Sequence, residues 1–357
     1  MKAVSGRVYD SYRGEIMNIP VLHTINGRFW TALLACAVTV VLIISASAPD
    51  SRAAEVLQAR FSSPDEAVEA LVAAARADDL KAMLAILGPG SKDVISSGDS
   101  VADNASRDEF VASYEQKHSL EAGAAGSMIL HIGADDWSMP IPIVRKGNSW
   151  GFDIGKGKQE ILNRRIGRNE LHVIDVIDAY VDAQHEYASK DCRGGGTVEF
   201  AQRFISSPGS RDGLYWEARE GEQQSPLGPL IARAAQEGYT AEGNLSPFHG
   251  YYFKILKGQG KHAKGGPYRY VVRDKMILGF ALVAYPAEYG NSGVMTFVVN
   301  QEGIIFEKNL GKNTRRLAEA ITVYNPDKSW KKVKVLEAPV VQDKPCAEDM
   351  NQQQICR

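Results

Sequence analysis

Recognisable patterns for binding a metal, a nucleotide or another cofactor are missing from this chain of 357 residues. The four cysteines form no Cys-x-x-Cys pair and no Cys/His spacing typical of a metal site. Gly258 and Gly260 precede Lys and His instead of a helix, and the third glycine of a dinucleotide site is absent, so we expect hairpin turns there. We therefore predict neither a metal nor a cofactor.

Strong charge of either sign is also missing. The formal net charge is -2, and no basic patch follows the chain, which argues against nucleic acid as a partner. The chain also has no polybasic stripe, so binding to a lipid surface is not predicted. The hydrophobic fraction of 44% and the charged fraction of 24% are ordinary for a folded globular protein, and the length suggests about two domains.

One long apolar run stands near the start of the chain, from Phe29 to Ala48. It follows Arg28 and ends in small residues, which is the order of a secretory signal. Ala46-Ser47-Ala48 fits the cleavage pattern, but Pro49 is a poor residue at the scissile bond. We predict that residues 1–48 are a signal peptide or a single N-terminal membrane anchor, and that the protein is periplasmic or otherwise exported.

The cysteine positions matter if the chain is exported. In an oxidising compartment, Cys346 and Cys356 can close a small disulfide loop in the tail, which leaves Cys192 over. The tail, residues 331–357, has the composition of an extended segment.

A small α+β domain is predicted over residues 60–155. Its first helix begins at an N-cap, Ser63, followed by Pro64 and by Glu66, which completes a capping box. A second capping box, Ser106-x-x-Glu109, predicts the start of a third helix. The segment MPIPIVRKGNSWGFDI reads as an antiparallel hairpin with its turn at residues 146–148.

A second domain is predicted over residues 156–330. It begins with a long helix from about Gln159 to Lys190 and continues through a loop-rich stretch that contains a short helical piece, PLIARAAQEG. From His249 to Gly311, β-branched and aromatic runs are cut by turn residues, which is typical of a compact antiparallel sheet. The predicted fold class is α+β, with a long helix packed on an antiparallel sheet.

The turn AEYGNSG, from Ala287 to Gly293, is the best candidate site because it carries polar groups between two apolar strands. We predict it to be a loop that binds a ligand or partner. The proposed binding residues are Glu288, Tyr289, Asn291, Ser292 and Tyr251.

A catalytic alternative uses part of the same turn. Ser292, His249 and Glu288 are the residue types of a nucleophilic hydrolase, with Asn291 as an oxyanion donor. Asn and Ser are also standard turn residues, and nothing in the sequence brings His249 beside Ser292, so the recognition loop is preferred.

The strings RRIGRNELHVIDVIDAYVDAQHEYA, SSPGSRDGLYW, SPFHGYYFKIL and GFALVAYPAEYGNSGVMTFVVN resemble an exported bacterial family, domain of unknown function 2950 (DUF2950). The resemblance covers Phe61 to Trp330. It implies an envelope protein without an assigned activity, and it supplies no catalytic residues.

The second half is also similar to the soluble part of type IV pilins and pseudopilins, which pack one long helix on a small antiparallel sheet. The apolar helix start of a pilin is missing, because Leu171 to Ala188 is too polar for a membrane, so a soluble derivative is implied. The matching positions are Gly250, Tyr252 or Phe253, Ala284, Pro286, Phe297, Gly303 and Ile304.

The sequence thus predicts an exported, non-enzymatic protein that binds an envelope protein or a cell-wall component. The alternative is a periplasmic hydrolase that uses the Ser/His/Glu set.

Overall fold

The computed structural model describes residues 57–190, 196, 198–219, 221–239 and 246–333. All of them belong to one compact unit that begins at Val56. The unit combines helices with antiparallel sheets, which confirms the α+β prediction.

Four helices open the described chain. Ser63 caps the first one, since its hydroxyl accepts a hydrogen bond from the Glu66 N–H, and Pro64 stands in the first turn as predicted. The Glu66 carboxylate reaches back to the N–H of Ser62 at 2.8 Å, one residue earlier than a standard capping box. The helices are α1 (Pro64–Arg76), α2 (Leu80–Leu87), α3 (Lys92–Ile95) and α4 (Ser100–Gln116).

The predicted start of the third long helix at Ser106 is wrong. Helix α4 begins at Ser100, and its N-cap is Asp99, whose side chain accepts from the Ala102 N–H at 3.2 Å. Ser106 and Glu109 lie inside the helix, where residues three positions apart are neighbours on one face, so their spacing does not mark a helix start.

A small antiparallel sheet follows and packs on α1. The hairpin β4–β5 turns between Lys146 and Ser149, as the sequence predicts. Buried apolar residues of α1 and the sheet, among them Leu71, Leu130 and Ile143, form the N-terminal core. The strands are β1 (His118–Ala122), β2 (Met128–Ile132), β3 (Trp137–Ser138), β4 (Ile143–Lys146) and β5 (Ser149–Phe152).

One long helix, α5, connects this part with the rest of the chain. It runs from Ile154 to Ser189 and so begins about one turn before the predicted start. Near its beginning, Ile154 and Ile161 pack against the N-terminal core. In its second half, Val173 and Ile177 are fully buried in a second, C-terminal core.

A five-stranded antiparallel sheet, in the order β14-β13-β12-β11-β6, carries the C-terminal core. Strand β11, which lies between β12 and the edge strand β6, is buried along its whole length. Helices α6 (Gly228–Gln236) and α7 (Thr314–Glu319) flank it. The strands of the C-terminal part are β6 (Tyr251–Leu256), β7 (Gly258–Gln259), β8 (Tyr268–Arg269), β9 (Val271–Val272), β10 (Lys275–Met276), β11 (Ala281–Pro286), β12 (Met295–Asn300), β13 (Phe306–Asn309) and β14 (Lys331–Lys332).

None of the helices in the described ranges has the length and apolar character needed to cross a membrane.

Candidate functional site

The Ala287–Gly293 turn is held together by its own groups. The Ser292 hydroxyl is fully buried, accepts from the Glu288 N–H at 2.9 Å and lies 3.2 Å from the Glu288 carbonyl oxygen. The Glu288 carbonyl also accepts from the N–H groups of Asn291 and Ser292. These are local turn bonds of the kind that Ser and Asn commonly form.

Asn291 joins this turn to the N-terminal part. Its amide N–H₂ donates to the Ser96 carbonyl and to the Glu288 carboxylate, both at 2.8 Å, and its oxygen accepts from Arg165 at 2.5 Å. The Arg165 guanidinium also donates to the carbonyls of Asp93 and Val94. The pKa of Arg165 is lowered, and burial is the largest cause of this shift. The turn is therefore a junction inside the molecule.

Tyr251 is fully buried next to the same junction. Its hydroxyl donates to the Met295 carbonyl at 3.0 Å and lies 3.4 Å from the Glu170 carboxylate, which also accepts from the N–H groups of Val294 and Met295. Burial first, and then the charge of Glu170, raises the pKa of Tyr251.

Of the five predicted binding residues, Asn291, Ser292 and Tyr251 are buried and make internal contacts, whereas Glu288 is exposed and Tyr289 is half-buried. Their role in binding a partner stays a prediction.

The described contacts of the His249 ring are with residues other than Ser292. The Nε2 of His249 is 3.2 Å from the Glu237 carboxylate, and its ring packs against those of Phe248 and His172. Within the described part of the chain, no hydrogen bond joins His249 to Ser292. The Ser/His/Glu set stays a prediction without a contact in its favour.

A polar cleft of about 230 Å³ surrounds His249. Asp99 does not line the cleft but contacts Tyr239, which does. It is 1% exposed and accepts from the Tyr239 hydroxyl at 2.9 Å and from the Gly250 N–H at 2.8 Å. Burial lowers the pKa of His249 against the opposing effect of Glu237. Burial also raises the pKa of Tyr239, and the charge of Asp99 adds to this. Through these hydrogen bonds Asp99, the N-cap of α4, is joined to Gly250, the residue directly before β6.

A larger groove of about 820 Å³ runs beside β6, and we call it the β6 groove. Apolar and aromatic side chains dominate it, and the two charged residues among those that line it, Arg203 and Lys254, are both basic. Its lining residues are Val176, Tyr180, Gln202, Arg203, Phe204, Ile205, Tyr215, Leu227, Leu230, Ile231, Ala234, Ala235, Tyr239, Ser246, Pro247, Phe248, Tyr252, Phe253, Lys254, Ile255, Leu282 and Tyr285.

The β6 groove is not predicted from the sequence, although part of its signal is present there. The helical piece PLIARAAQEG forms α6, as predicted, and places Leu230, Ile231 and Ala234 together on the groove wall. Phe204 and Tyr215, from the loop-rich stretch, also line the groove. These segments meet β6 only in the folded chain, so no local pattern reveals the groove.

One group in the described residues has the spacing of a metal site: Glu121, His131 and Asp136 offer ligand atoms within 4.8 Å of one another. Lys117 already lies 3.0 Å from the Asp136 carboxylate, and its hydrogen bond, followed by its charge, lowers the pKa of Asp136. We assign no metal there, because an ammonium in this position opposes a cation.

Several predicted features lie outside the described residues: the N-terminal segment 1–48, Cys192, the disulfide candidate Cys346–Cys356 and the tail beyond residue 333.

The family model for DUF2950, a protein family of unknown function, matches residues 58–333. The chain belongs to this family. The match includes both cores, the polar cleft and the β6 groove. No curated protein and no solved structure matches the chain, so the pilin resemblance stays a prediction.

Proposed function

We propose that this DUF2950 protein is an exported, non-enzymatic binding protein of the bacterial cell envelope, and that it holds a segment of another protein in the β6 groove. The observation that carries the proposal is the groove itself. Its volume of about 820 Å³ lies within the range of roughly 300–1,000 Å³ in which ligand-binding pockets fall.

The lining of the groove supports a protein ligand. Tyr252, Phe253 and Tyr215 are half-buried in the groove, so their rings are available to a partner. Half-exposed aromatic residues are enriched at protein interfaces because they bury a large area at low entropic cost. A glycan-binding face uses aromatic rings too, which is why a cell-wall component is the alternative ligand to test.

Export is supported by the apolar run from Phe29 to Ala48 and its small-residue end. The non-enzymatic part of the proposal is supported by the Ser292 hydroxyl, whose described bonds all go to the main chain of Glu288. A nucleophile needs a base within hydrogen-bonding reach, and the described contacts of Ser292 include none.

The test is a binding measurement with a matched pair of variants. Ile205 lines the groove and is 39% exposed, whereas Ile277 is 37% exposed and does not line it. The full chain is titrated with the labelled peptide acetyl-Val-Glu-Val-Glu-Val-amide, and binding is followed by fluorescence anisotropy. Ile205→Glu should weaken binding about tenfold or more, because it places a charge in an apolar site, and Ile277→Glu should leave it unchanged.

A second titration uses a soluble N-acetylglucosamine oligosaccharide as the probe for a cell-wall glycan. If only the oligosaccharide binds, and Ile205→Glu abolishes that binding, the groove is a glycan site and the protein-segment proposal is wrong. If peptide binding responds equally to both Ile→Glu variants, the β6 groove is not the binding surface.

A further inference from the structure

Strand β6 is one edge of the five-stranded sheet, and its described hydrogen-bonding neighbour along its length is β11. Its four middle residues, from Tyr252 to Ile255, are half-buried, in contrast to the fully buried β11. All four also line the β6 groove. Successive residues of a strand point to opposite faces, so a groove lined by all of them runs along the edge of the strand.

The ends of β6 show which main-chain groups point away from β11. The N–H and C=O of Tyr251 both bond to Phe248, and the C=O of Lys257 accepts from the Tyr270 N–H. Tyr251 pairs with Pro286 in β11, and proline has no N–H to exchange. Residues 251 and 257 therefore face outward.

Main-chain direction alternates along a strand, so Phe253 and Ile255 also face outward, into the groove. Within the described residues, no hydrogen bond is found for the outward N–H and C=O groups of these two residues. An unpaired row of donors and acceptors on a strand edge is a template for another strand.

The open stretch has a defined length. The Tyr251–Phe248 bond closes one end and the Tyr270–Lys257 bond closes the other, which leaves residues 252–256. At about 3.3 Å per residue this is roughly 17 Å, enough for an extended peptide of about five residues.

The two faces of β6 give the peptide its side-chain pattern. Lys254 donates to the carbonyls of Ala318 and Glu319, so Tyr252 and Lys254 lie on the α7 face of the sheet. Alternation places Phe253 and Ile255 on the opposite face, where Val176 and Tyr180 of α5 also line the groove. Side chains of an added strand lie beside their cross-strand neighbours. Every second side chain of the peptide therefore contacts the apolar face formed by α5, Phe253 and Ile255.

The remaining side chains of the peptide lie on the α7 face, beside Lys254. Arg203 and Lys254 are the charged residues that line the described groove, and no carboxylate lines it with them. The Arg203 guanidinium lies 3.7 Å from the Asp212 carboxylate, which does not itself line the groove. The lining is therefore positive, and it complements a ligand that carries carboxylates.

From these observations we propose that the ligand of the β6 groove is an extended acidic peptide, apolar at alternate positions, which pairs with the main chain of Phe253 and Ile255 as an added strand. This inference rests on the proposed function and specifies its partner. Strand addition is a general mode of peptide recognition, in which the main chain supplies affinity and alternate side chains supply specificity.

Hydrogen exchange on the full chain tests the pairing directly. Adding the Val-Glu-Val-Glu-Val peptide should slow exchange of the Phe253 and Ile255 amide protons about tenfold or more. The amide protons of Tyr252 and Lys254 already face β11, so they should change much less. Equal protection of all four amides, or none, would overturn strand addition.

A scan of the peptide with single N-methyl groups is the second test. In either strand direction, every second amide of the peptide faces β6. Methylation at those positions should weaken binding about 3- to 10-fold, the equivalent of one lost hydrogen bond, and methylation between them should have little effect. The charge-reversed peptide acetyl-Val-Lys-Val-Lys-Val-amide should bind more weakly.

The two proposals fail in different ways. A peptide that binds, loses affinity in Ile205→Glu and shows no alternation in the methyl scan refutes strand addition but keeps the groove as a binding site. Absence of binding by the acidic peptide to the full chain refutes both.

Discussion

At the residue scale, Asn291 brings three distant segments together with one amide. It bonds to Ser96 before α4, to Arg165 in α5 and to Glu288 in its own turn. The Ser96 carbonyl and the Arg165 guanidinium belong to half-buried residues, so water replaces a lost partner there only in part. Such groups cost more when left unpaired than they contribute when paired. The amide of Asn291 therefore stabilises the junction between the N-terminal part and the sheet.

We expect Asn291→Ala to lower the free energy of unfolding by about 1–3 kcal/mol, because it leaves a half-buried guanidinium and a half-buried carbonyl short of a partner. Urea denaturation measures this change. The matched control is Asn148→Ala, since Asn148 also accepts from an arginine, Arg145 at 3.3 Å, but on an exposed turn. The control should change stability by less than about 0.5 kcal/mol. Similar losses of unfolding free energy in both variants would contradict the proposed stabilising role of Asn291.

His249 should make the stability of the protein depend on pH. Burial is the largest influence on its pKa and lowers it, while Glu237 and Asp99 raise it and His172 and Arg233 lower it further. The unfolded state then binds a proton at a pH where the folded state does not. Stability from this group is complete above the unfolded pKa of about 6.5 and falls as the pH decreases below it.

Between pH 7 and pH 5, we therefore expect the wild-type chain to lose more stability than His249→Asn. Asparagine is chosen because His249 has a φ of 49°, a conformation that asparagine tolerates better than most residues. The control is His262→Asn, at an exposed position. Urea midpoints at several pH values measure the difference, and parallel pH profiles for wild type and His249→Asn would refute it.

Residue roles in the turn were only partly predictable. The bonds between Ser292 and Glu288 are local, and the residue types indicate them. The contact of Asn291 with Arg165 spans 126 residues and that with Ser96 spans 195. No pattern in the turn signals such partners, so the sequence predicts a recognition loop but not the hydrogen bonds that join this turn to the N-terminal part.

At the element scale, two glycines of α5 differ in their surroundings. A Cβ on Gly157 would come within 2.3 Å of the Pro140 carbonyl oxygen, whereas one on Gly167 would have nothing within 4 Å. The start of α5 therefore crosses the segment before β4 so closely that a side chain does not fit between them.

This contrast predicts opposite effects of the same substitution in one helix. Gly157→Ala should destabilise the protein by about 1–3 kcal/mol, because main-chain atoms must move apart. Gly167→Ala should stabilise it by about 0.5–1 kcal/mol through better helix propensity. Thermal unfolding of the two variants measures both. A stabilising Gly157→Ala would mean that the crossing is looser than described.

Two elements with local signals were predicted correctly, although the capping-box pattern at Ser106 misplaced the start of α4. Features defined by distant neighbours were not predicted. The start of α1 and the β4–β5 turn depend on residues a few positions apart, and both are confirmed. Position at the edge of a sheet depends on strand order. The run YYFKIL shows that β6 is a strand, but its open side follows from the absence of a described second strand beside Phe253 and Ile255.

At the scale of the whole molecule, the N-terminal and C-terminal cores share structural elements. Ile161 of α5 packs on the first core and Val173 of the same helix is buried in the second. Asp99, before α4, accepts hydrogen bonds from Tyr239 and from Gly250, which directly precedes β6. Domain boundaries at residues 155 and 156 remain a prediction, but the shared helix and the Asp99 contacts connect the two parts.

This coupling predicts that the two cores unfold together. Two single-tryptophan variants report on them separately, one retaining Trp150 beside the N-terminal core and the other retaining Trp216 in the C-terminal core. Their urea midpoints should coincide. Adding Asp99→Ala should lower both by the same amount, because the buried Tyr239 hydroxyl and the Gly250 N–H lose their acceptor, at a cost of about 2–3 kcal/mol. If the Trp150 midpoint falls while that of Trp216 stays in place, the two parts are independent domains and Asp99 stabilises only α4.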